Sequence, residues 1–168
     1  MPKMDPVSII RDQHKVVQGL FKEFEKVETP LERGDIFEAV HTNLLNHTTL
    51  EEELFYPAVR EAGVKEDVLL EAEEEHHVVD TIMEEIVGMD PADEEYTAKF
   101  TVMQENVEHH IEEEETEILK KFAGKLPGEL GERMMRRWEE LNGANPPQQR
   151  EPVRVRRSGG RRRKRRAA

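Results

Sequence analysis

The chain of 168 residues contains no cysteine. That absence excludes a disulfide scaffold, a zinc ribbon, an iron–sulfur cluster and thiol catalysis, and it leaves His, Asp and Glu as the available metal ligands. Aromatic residues are also scarce, at 5%, and hydrophobic residues make up 36% against 37% charged. Any core is therefore thin and its apolar positions economically spaced, which favours helices over a sheet. No stretch approaches the roughly 18 apolar residues that a membrane span requires. The segment Met1 to Ile10 lacks the basic and apolar regions of a signal peptide, so the expectation is a cytoplasmic protein with no membrane contact. The length fits one domain with a tail.

Charge is divided along the sequence. From Arg150 onward ten Arg and Lys residues stand against the single Glu151, while the remainder carries 15 basic and 36 acidic residues. An acidic body thus precedes a basic end, an asymmetry typical of an interaction segment. The stretch Asn142 to Gln149 has linker composition, and an Arg/Lys run cannot build a core. Residues 142–168 are expected to be disordered, and residues 1–141 to form the folded unit.

Proline and glycine are few and act as punctuation. Breaks fall at Glu28-Thr29-Pro30 with Gly34, at Ala62-Gly63, at Gly88 to Pro91, and at Gly124 with Pro127-Gly128. The blocks between them are rich in Glu, Lys, Leu, Met and Ala and show no period-2 alternation, so the reading is all-α. Asp5-Pro6, Asp35 and Asp90-Pro91 supply helix starts, and Gly63 and Gly124 supply stops. Four long helices result. A short fifth helix around Glu129 to Leu141 presents Leu130, Met134, Trp138 and Leu141 as one stripe that packs on the bundle.

Four antiparallel helices bury a seam spaced alternately three and four residues apart. The first helix offers Val7, Ile10, His14, Val17, Phe21 and Phe24, and the second Phe37, Val40, Leu44, His47, Glu51, Leu54 and Ala58. The third offers Leu69, Ala72, His76, Val79, Met83 and Ile86, and the fourth Phe100, Met103, Val107, His110 and Glu114, with a polar end at Glu117. Six polar side chains thus hold apolar places. An unsatisfied buried polar group costs on the order of 1–3 kcal/mol, and an unpaired charge considerably more. A shared cation removes the conflict.

The sequence also repeats. Asp12 to Val17 resembles Glu74 to Val79, 62 residues on, and His47 to Phe55 resembles His110 to Ile118, 63 residues on. Two helix-pair halves related by a pseudo-twofold would bring one His each from the first and third helices to one level with a His-x3-Glu pair each from the second and fourth. Residues four apart share a helix face, so each pair offers an imidazole and a carboxylate to the same place. Carboxylates able to bridge, with two histidines per metal, describe a dinuclear site.

Register separates these residues from their neighbours. His109 and Glu113 have the same spacing but fall off the seam, as does His41, and His77 lies on a mostly polar line beside His76. The runs Glu51 to Glu53 and Glu112 to Glu115 read as solvated faces with one inward member each. Glu73 either turns inward as a seventh ligand through a Glu-x-x-His arrangement or stays on the surface. Tyr56 either approaches a metal or closes the bundle end.

The pattern of His14 in Asp-x-His-x-x-Val, His47-x3-Glu51 running into Glu-Leu-Phe-Tyr-Pro, Glu-His76, and His110-x3-Glu114 resembles the hemerythrin-like, or HHE cation-binding, domain over about residues 5–122. The resemblance implies an up-down-up-down four-helix bundle around two non-haem irons with an oxo or hydroxo bridge. It also implies that His14, His47, Glu51, His76, His110 and Glu114 are the ligands. Oxygen-carrying hemerythrins are similar but place another histidine where this chain has Ala72. Substitution by Glu73 would make the site harder and favour ferric iron.

The resemblance, joined to these residues, implies a di-iron protein that binds oxygen, peroxide or nitric oxide in oxidative or nitrosative stress or iron homeostasis. Peroxide decomposition and ferrous oxidation are the candidate activities, and Phe21, Leu44, Phe55 and Val107 are expected to limit water. Nitrogen and oxygen donors also accept zinc or manganese. A different reading makes the basic tail a non-specific binder of nucleic acid or an anionic surface, with the metal bundle as sensor or scaffold.

Overall fold

The computed structural model describes residues 4–144, and the disorder expected for the rest of the linker and the Arg/Lys tail lies outside the described residues. Every described element is helical. In chain order they are α1 (Pro6–Phe24), α2 (Pro30–Leu50), a π-helical turn π1 (Glu51–Phe55), α3 (Tyr56–Glu61), α4 (Glu66–Val87), α5 (Glu94–Glu114), a second π turn π2 (Glu115–Leu119), α6 (Lys120–Phe122) and α7 (Leu130–Ala144). Because α2, π1 and α3 are continuous, as are α5, π2 and α6, the elements form four rods and a fifth helix. Among the described residues no helix is long and apolar enough to cross a membrane.

Local chemistry sets the ends. Asp5 caps α1 by accepting from the Ser8 amide at 3.2 Å, and Pro6 takes the first turn, where its missing N–H costs nothing. The second start differs from the Asp35 expectation. Thr29 and Glu32 form a reciprocal capping box around Pro30, so α2 begins there and runs through Gly34. The start expected at Asp90-Pro91 is instead a turn, closed by Asp90 accepting from the Asp93 amide at 3.0 Å, and α5 follows from Glu94. Gly63 and Gly124 end their rods with φ of 95° and 74°. At Gly63 the Val64 amide donates to the Val59 carbonyl and the Gly63 amide to that of Arg60, the paired closure a left-handed residue permits. The last helix extends past Leu141 to Ala144, three residues further than its composition implied.

The π turns alter the seam. Each inserts one residue beyond α-helical spacing, so in the second rod the buried line passes from Glu51 to Phe55, Tyr56 and Val59 rather than to Leu54 and Ala58. In the fourth rod it passes from Glu114 to Ile118, Leu119 and Phe122, replacing the polar end expected at Glu117. The two turns lie 64 residues apart, close to the internal repeat.

Two apolar clusters divide the interior. One gathers Val17, Phe21, Leu44, Val79, Met103 and Val107 with their neighbours; the other gathers Ile10, Phe55, Leu69, Ala72, Ile118 and Met134. Along α1 and α4 the chain passes from the second cluster to the first, and along α2 and α5 it returns. In all four rods the polar seam residues fall between the clusters. Against α1, α2 and π1 lies α7, placing Leu130, Met134 and Leu141 in the second cluster with Trp138 at its edge.

Gly131 in α7 makes the close approach that this docking needs, since a Cβ there would lie 1.8 Å from the Met4 carbonyl oxygen. Gly131→Ala is expected to cost roughly 1–3 kcal/mol in urea denaturation. Gly19→Ala, exposed in mid-helix with nothing near a new Cβ, is expected to be neutral or to stabilise by about 0.5–1 kcal/mol. Equal stabilities for the two variants would contradict this packing.

Candidate metal centre

Between the clusters, His14, His47, Glu51, His76, His110 and Glu114 are each at most 6% exposed. They fall into two groups. His14, His47, Glu51 and Glu114 can each direct one ligand atom to within 4.8 Å of the others, and Glu51, His76 and His110 can do the same. Glu51 belongs to both: its Oε1 lies 3.0 Å from His47 Nε2 and its Oε2 3.2 Å from His76 Nε2. Glu114 Oε2 lies 3.1 Å from His14 Nε2, so the second carboxylate joins one group only.

The outward ring nitrogens are tied as consistently as the inward ones are gathered. His14 Nδ1 meets Glu115 at 3.3 Å, His47 Nδ1 meets Gln13 at 2.7 Å, His76 Nδ1 meets Glu52 at 2.8 Å, and His110 Nδ1 meets Glu75 at 2.7 Å. An ionised carboxylate only accepts, so each paired Nδ1 carries the proton and turns Nε2 inward. The repeat reaches this outer layer: Gln13 and Glu75 each precede a seam histidine, and Glu52 and Glu115 each follow a seam carboxylate. By hydrophobic register Glu52 and Glu115 fall on solvated faces. The signal that could have found them was their place in the repeat rather than their hydrophobic register.

Several inward atoms lie against a neighbour without a well-formed hydrogen bond. His14 Nε2, Glu51 Oε1 and both Glu114 oxygens are buried without a hydrogen bond, and the His76 and His110 Nε2 atoms face each other at 3.2 Å. Two imidazole lone pairs at that distance require a proton or a cation between them. The donor set is nitrogen and oxygen throughout, with carboxylate ligands that can span two ions, so the residues fit a pair of borderline-to-hard cations.

The other sequence candidates separate clearly. Glu73 does not join the cluster: its side chain is 36% exposed and pairs with Arg60 at 3.4 Å. His77 is exposed, His109 is 62% exposed, and His41 is half-buried and stacks on Phe37. Tyr56, brought round by the π turn, places its hydroxyl 3.3 Å from His76 Nε2 and 3.5 Å from Glu51 Oε2. The repeat sets Leu119 against it, so this group makes the two halves unlike. Leu44 and Val107 line a void beside the histidines, whereas Phe21 and Phe55 are buried elsewhere in the core.

The profile of the Hemerythrin HHE cation binding domain matches residues 5–122. This chain belongs to the hemerythrin HHE cation-binding domain family. A solved structure of an HHE domain protein from Mycobacterium kansasii superposes with a TM-score of 0.71, over 83% of this chain and 88% of that one, at 23% identity. That likeness is one of fold. A curated relative from Nostoc sp. (strain PCC 7120), named a DNA nickase, is 26% identical over 129 residues, 77% of this chain. The HHE chain spans only 36% of that relative's length.

Electrostatics show what a cation displaces. Burial works to lower the His76 pKa, but Glu51 and Glu52 outweigh it and push the group up to about 10. In His14 burial is likewise outweighed, by Glu114 and then Glu51, and the pKa rises. Burial would raise Glu51, yet His47 and His76 hold it well below the usual carboxylate range. Burial first, then Glu114 and Glu51, drives Tyr56 well above its ordinary value. Without metal, protons on His14 and His76 balance the carboxylates. A histidine raised on folding contributes stability that is complete below about pH 6.5 and lost as pH climbs toward about 10. Metal must displace those protons, so its binding strengthens in the same direction. Chelator-treated protein is expected to melt at progressively lower temperature from about pH 7 to about pH 9, with the loss suppressed in metal-loaded protein. A metal-free melting temperature that rises across that window would contradict the assignment.

Proposed function

We propose that this HHE domain protein is a non-haem di-iron protein whose centre binds oxygen, peroxide or nitric oxide, in oxidative or nitrosative stress or in iron homeostasis. The observation that carries the reading is the pair of buried donor groups sharing Glu51. In this reading the rods run up-down-up-down in one cytoplasmic domain, and His14, His47, Glu51, His76, His110 and Glu114 are the ligands. Zinc or manganese would suit the same donors, and elemental analysis of protein from its native host separates them.

Bound iron would supply a redox couple and a Lewis acid for a small oxidant. The protein's own part is to fix four rings, exclude bulk water and manage a proton. Carboxylates on three of the four Nδ1 atoms increase imidazole donation, which favours the higher oxidation state and argues against reversible carriage. A void of about 20 Å³ lies beside the rings, walled by Val17, Leu44, Val79 and Val107. About 10–15 Å³ suffices for one water, so the void admits a guest of that size and little more. The Tyr56 hydroxyl, held protonated by burial, is placed to donate a hydrogen bond on the His76 side. Peroxide decomposition and ferrous oxidation both fall within this chemistry.

A second reading assigns nucleic-acid binding to the tail, where ten cationic side chains fall in 19 residues, and one relative bears the name DNA nickase. Such binding would be non-specific, since no aromatic residue interleaves the cations, and steeply salt-dependent. Equal mobility of full-length and 1–149 protein in a low-salt DNA shift would remove it.

For the leading reading, iron-replete protein is expected to hold two irons per chain. Glu51→Ala, which touches both groups, is expected to lose both, Glu114→Ala about one, and Glu73→Ala none. Full occupancy in Glu51→Ala, measured by plasma emission, would contradict the shared-carboxylate centre.

A further inference from the structure

A cavity of about 330 Å³ adjoins the centre between α4 and the rod of α5 and π2. Glu71, Glu75, Glu113 and Glu117 line it, and His110 and Glu114 of the centre form its inner wall. The rim is wet: Glu71 is exposed, and the side chains of Glu113 and Glu117 are 44% and 49% exposed, the latter paired with Lys121. The floor is dry. Glu114 is 2% exposed with neither oxygen hydrogen-bonded. An ionised carboxylate with so little water around it is stabilised by a positive neighbour, and a cation arriving through the cavity supplies one.

Beside the rim His109 Nε2 lies 3.3 Å from Glu113 Oε1 and 3.6 Å from Glu75 Oε1, and the three can gather ligand atoms within 4.8 Å of one another. Glu75 links the outer and inner groups. Its Oε1 faces His109, while its Oε2 accepts from His110 Nδ1 at 2.7 Å.

The internal repeat supplies a comparison within one molecule. At the matching offsets, the places of Glu71, Glu75, His109, Glu113 and Glu117 are taken in the other half by Ile9, Gln13, Asn46, Leu50 and Leu54. All are neutral, and α7 covers that side, with Asn46 hydrogen-bonded to Asn142. At these five positions one half is neutral and packs beside α7, while the other carries four carboxylates and a histidine; the cavity on the neutral side, lined by Ile9, Gln13 and Trp138, includes none of the six buried polar residues. The centre itself does not need this difference, because its ligands match across the repeat.

We propose that the acidic cavity is the route by which divalent cations reach the centre, with Glu75, His109 and Glu113 as a capture site at its mouth. The volume admits a hydrated ion, since about 10–15 Å³ is enough for each water. Carboxylates lining a low-dielectric cleft focus the field and raise the local cation concentration. The small apolar void beside the rings shares only His110 with this cavity, so the two spaces are distinct. This inference rests on the metal-centre reading.

The test is stopped-flow loading of metal-free, full-length protein with cobalt(II), a redox-inert probe followed by its ligand-field absorption, at low and high salt. Wild type is expected to load quickly at low salt and slow markedly as salt screens the cavity. Glu71→Gln/Glu113→Gln/Glu117→Gln is expected to load about tenfold more slowly at low salt, lose most of the salt dependence, and still reach the wild-type stoichiometry. His109→Ala is expected to slow loading with the endpoint unchanged. Glu23→Gln/Glu25→Gln/Glu28→Gln, which removes equal charge from exposed positions at the far end of α1, is expected to load like wild type. Wild-type rates in the cavity triple variant, or equal slowing in the α1 variant, would overturn the route while leaving the centre intact. Failure of wild type to bind any ion would instead overturn the centre on which the route depends.

Discussion

Two carboxylates and four imidazoles stand at one level of an otherwise apolar interior, with ring nitrogens facing carboxylate oxygens and one another at 3.0–3.2 Å. Leaving such a layer unfilled costs several kcal/mol, because each group has given up water for a neighbour that cannot fully replace it. Protons can hold it together, as the raised His14 and His76 and depressed Glu51 show. Metal ions satisfy more of the atoms at once. The two apolar clusters, the caps that start each rod and the π turns all serve to bring that layer into register.

The outer hydrogen bonds turn a collection of polar residues into a pre-formed site. A free imidazole can rotate and exchange tautomers, whereas one whose Nδ1 is held by Glu52, Glu75, Glu115 or Gln13 presents Nε2 in one direction. The π turns follow the inward carboxylates at once, and the first delivers Tyr56 to the side where the repeat otherwise supplies Leu119. A nearly symmetric scaffold thereby holds an asymmetric centre: Glu51 spans both donor groups, Glu114 serves one, and a single phenol approaches from one end. Asymmetry of this kind gives the two donor groups different electronic surroundings.

Much of this arrangement is legible in the sequence because helix periodicity and ligand geometry make the same demand. His76 and His110 could be told from His77 and His109 by register alone, and the buried residues of α4 coincide with the line Leu69, Ala72, His76, Val79, Met83 and Ile86. Periodicity failed where the helix itself changed period. Nothing in a three-four pattern marks a π turn, so the seam was carried on to Leu54, Ala58 and Glu117 when the chain had already moved to Phe55, Val59 and Ile118. Glu52 and Glu115 were illegible for another reason: a carboxylate that reaches across to a neighbouring rod occupies a position that reads as solvated on its own helix. Glu73 stands beside the buried line through Ala72 and His76 rather than on it, and from there it pairs with Arg60.

The most direct test of the central claim is anomalous diffraction at the iron edge from crystals of iron-loaded protein. Two peaks are predicted within about 3.5–4 Å of each other, between the apolar clusters, one beside His14 and His47 and the other beside His76 and His110, with the Glu51 carboxylate between them. Peaks confined to surface carboxylates, or a buried layer that stays metal-free in crystals grown with excess iron, would contradict it.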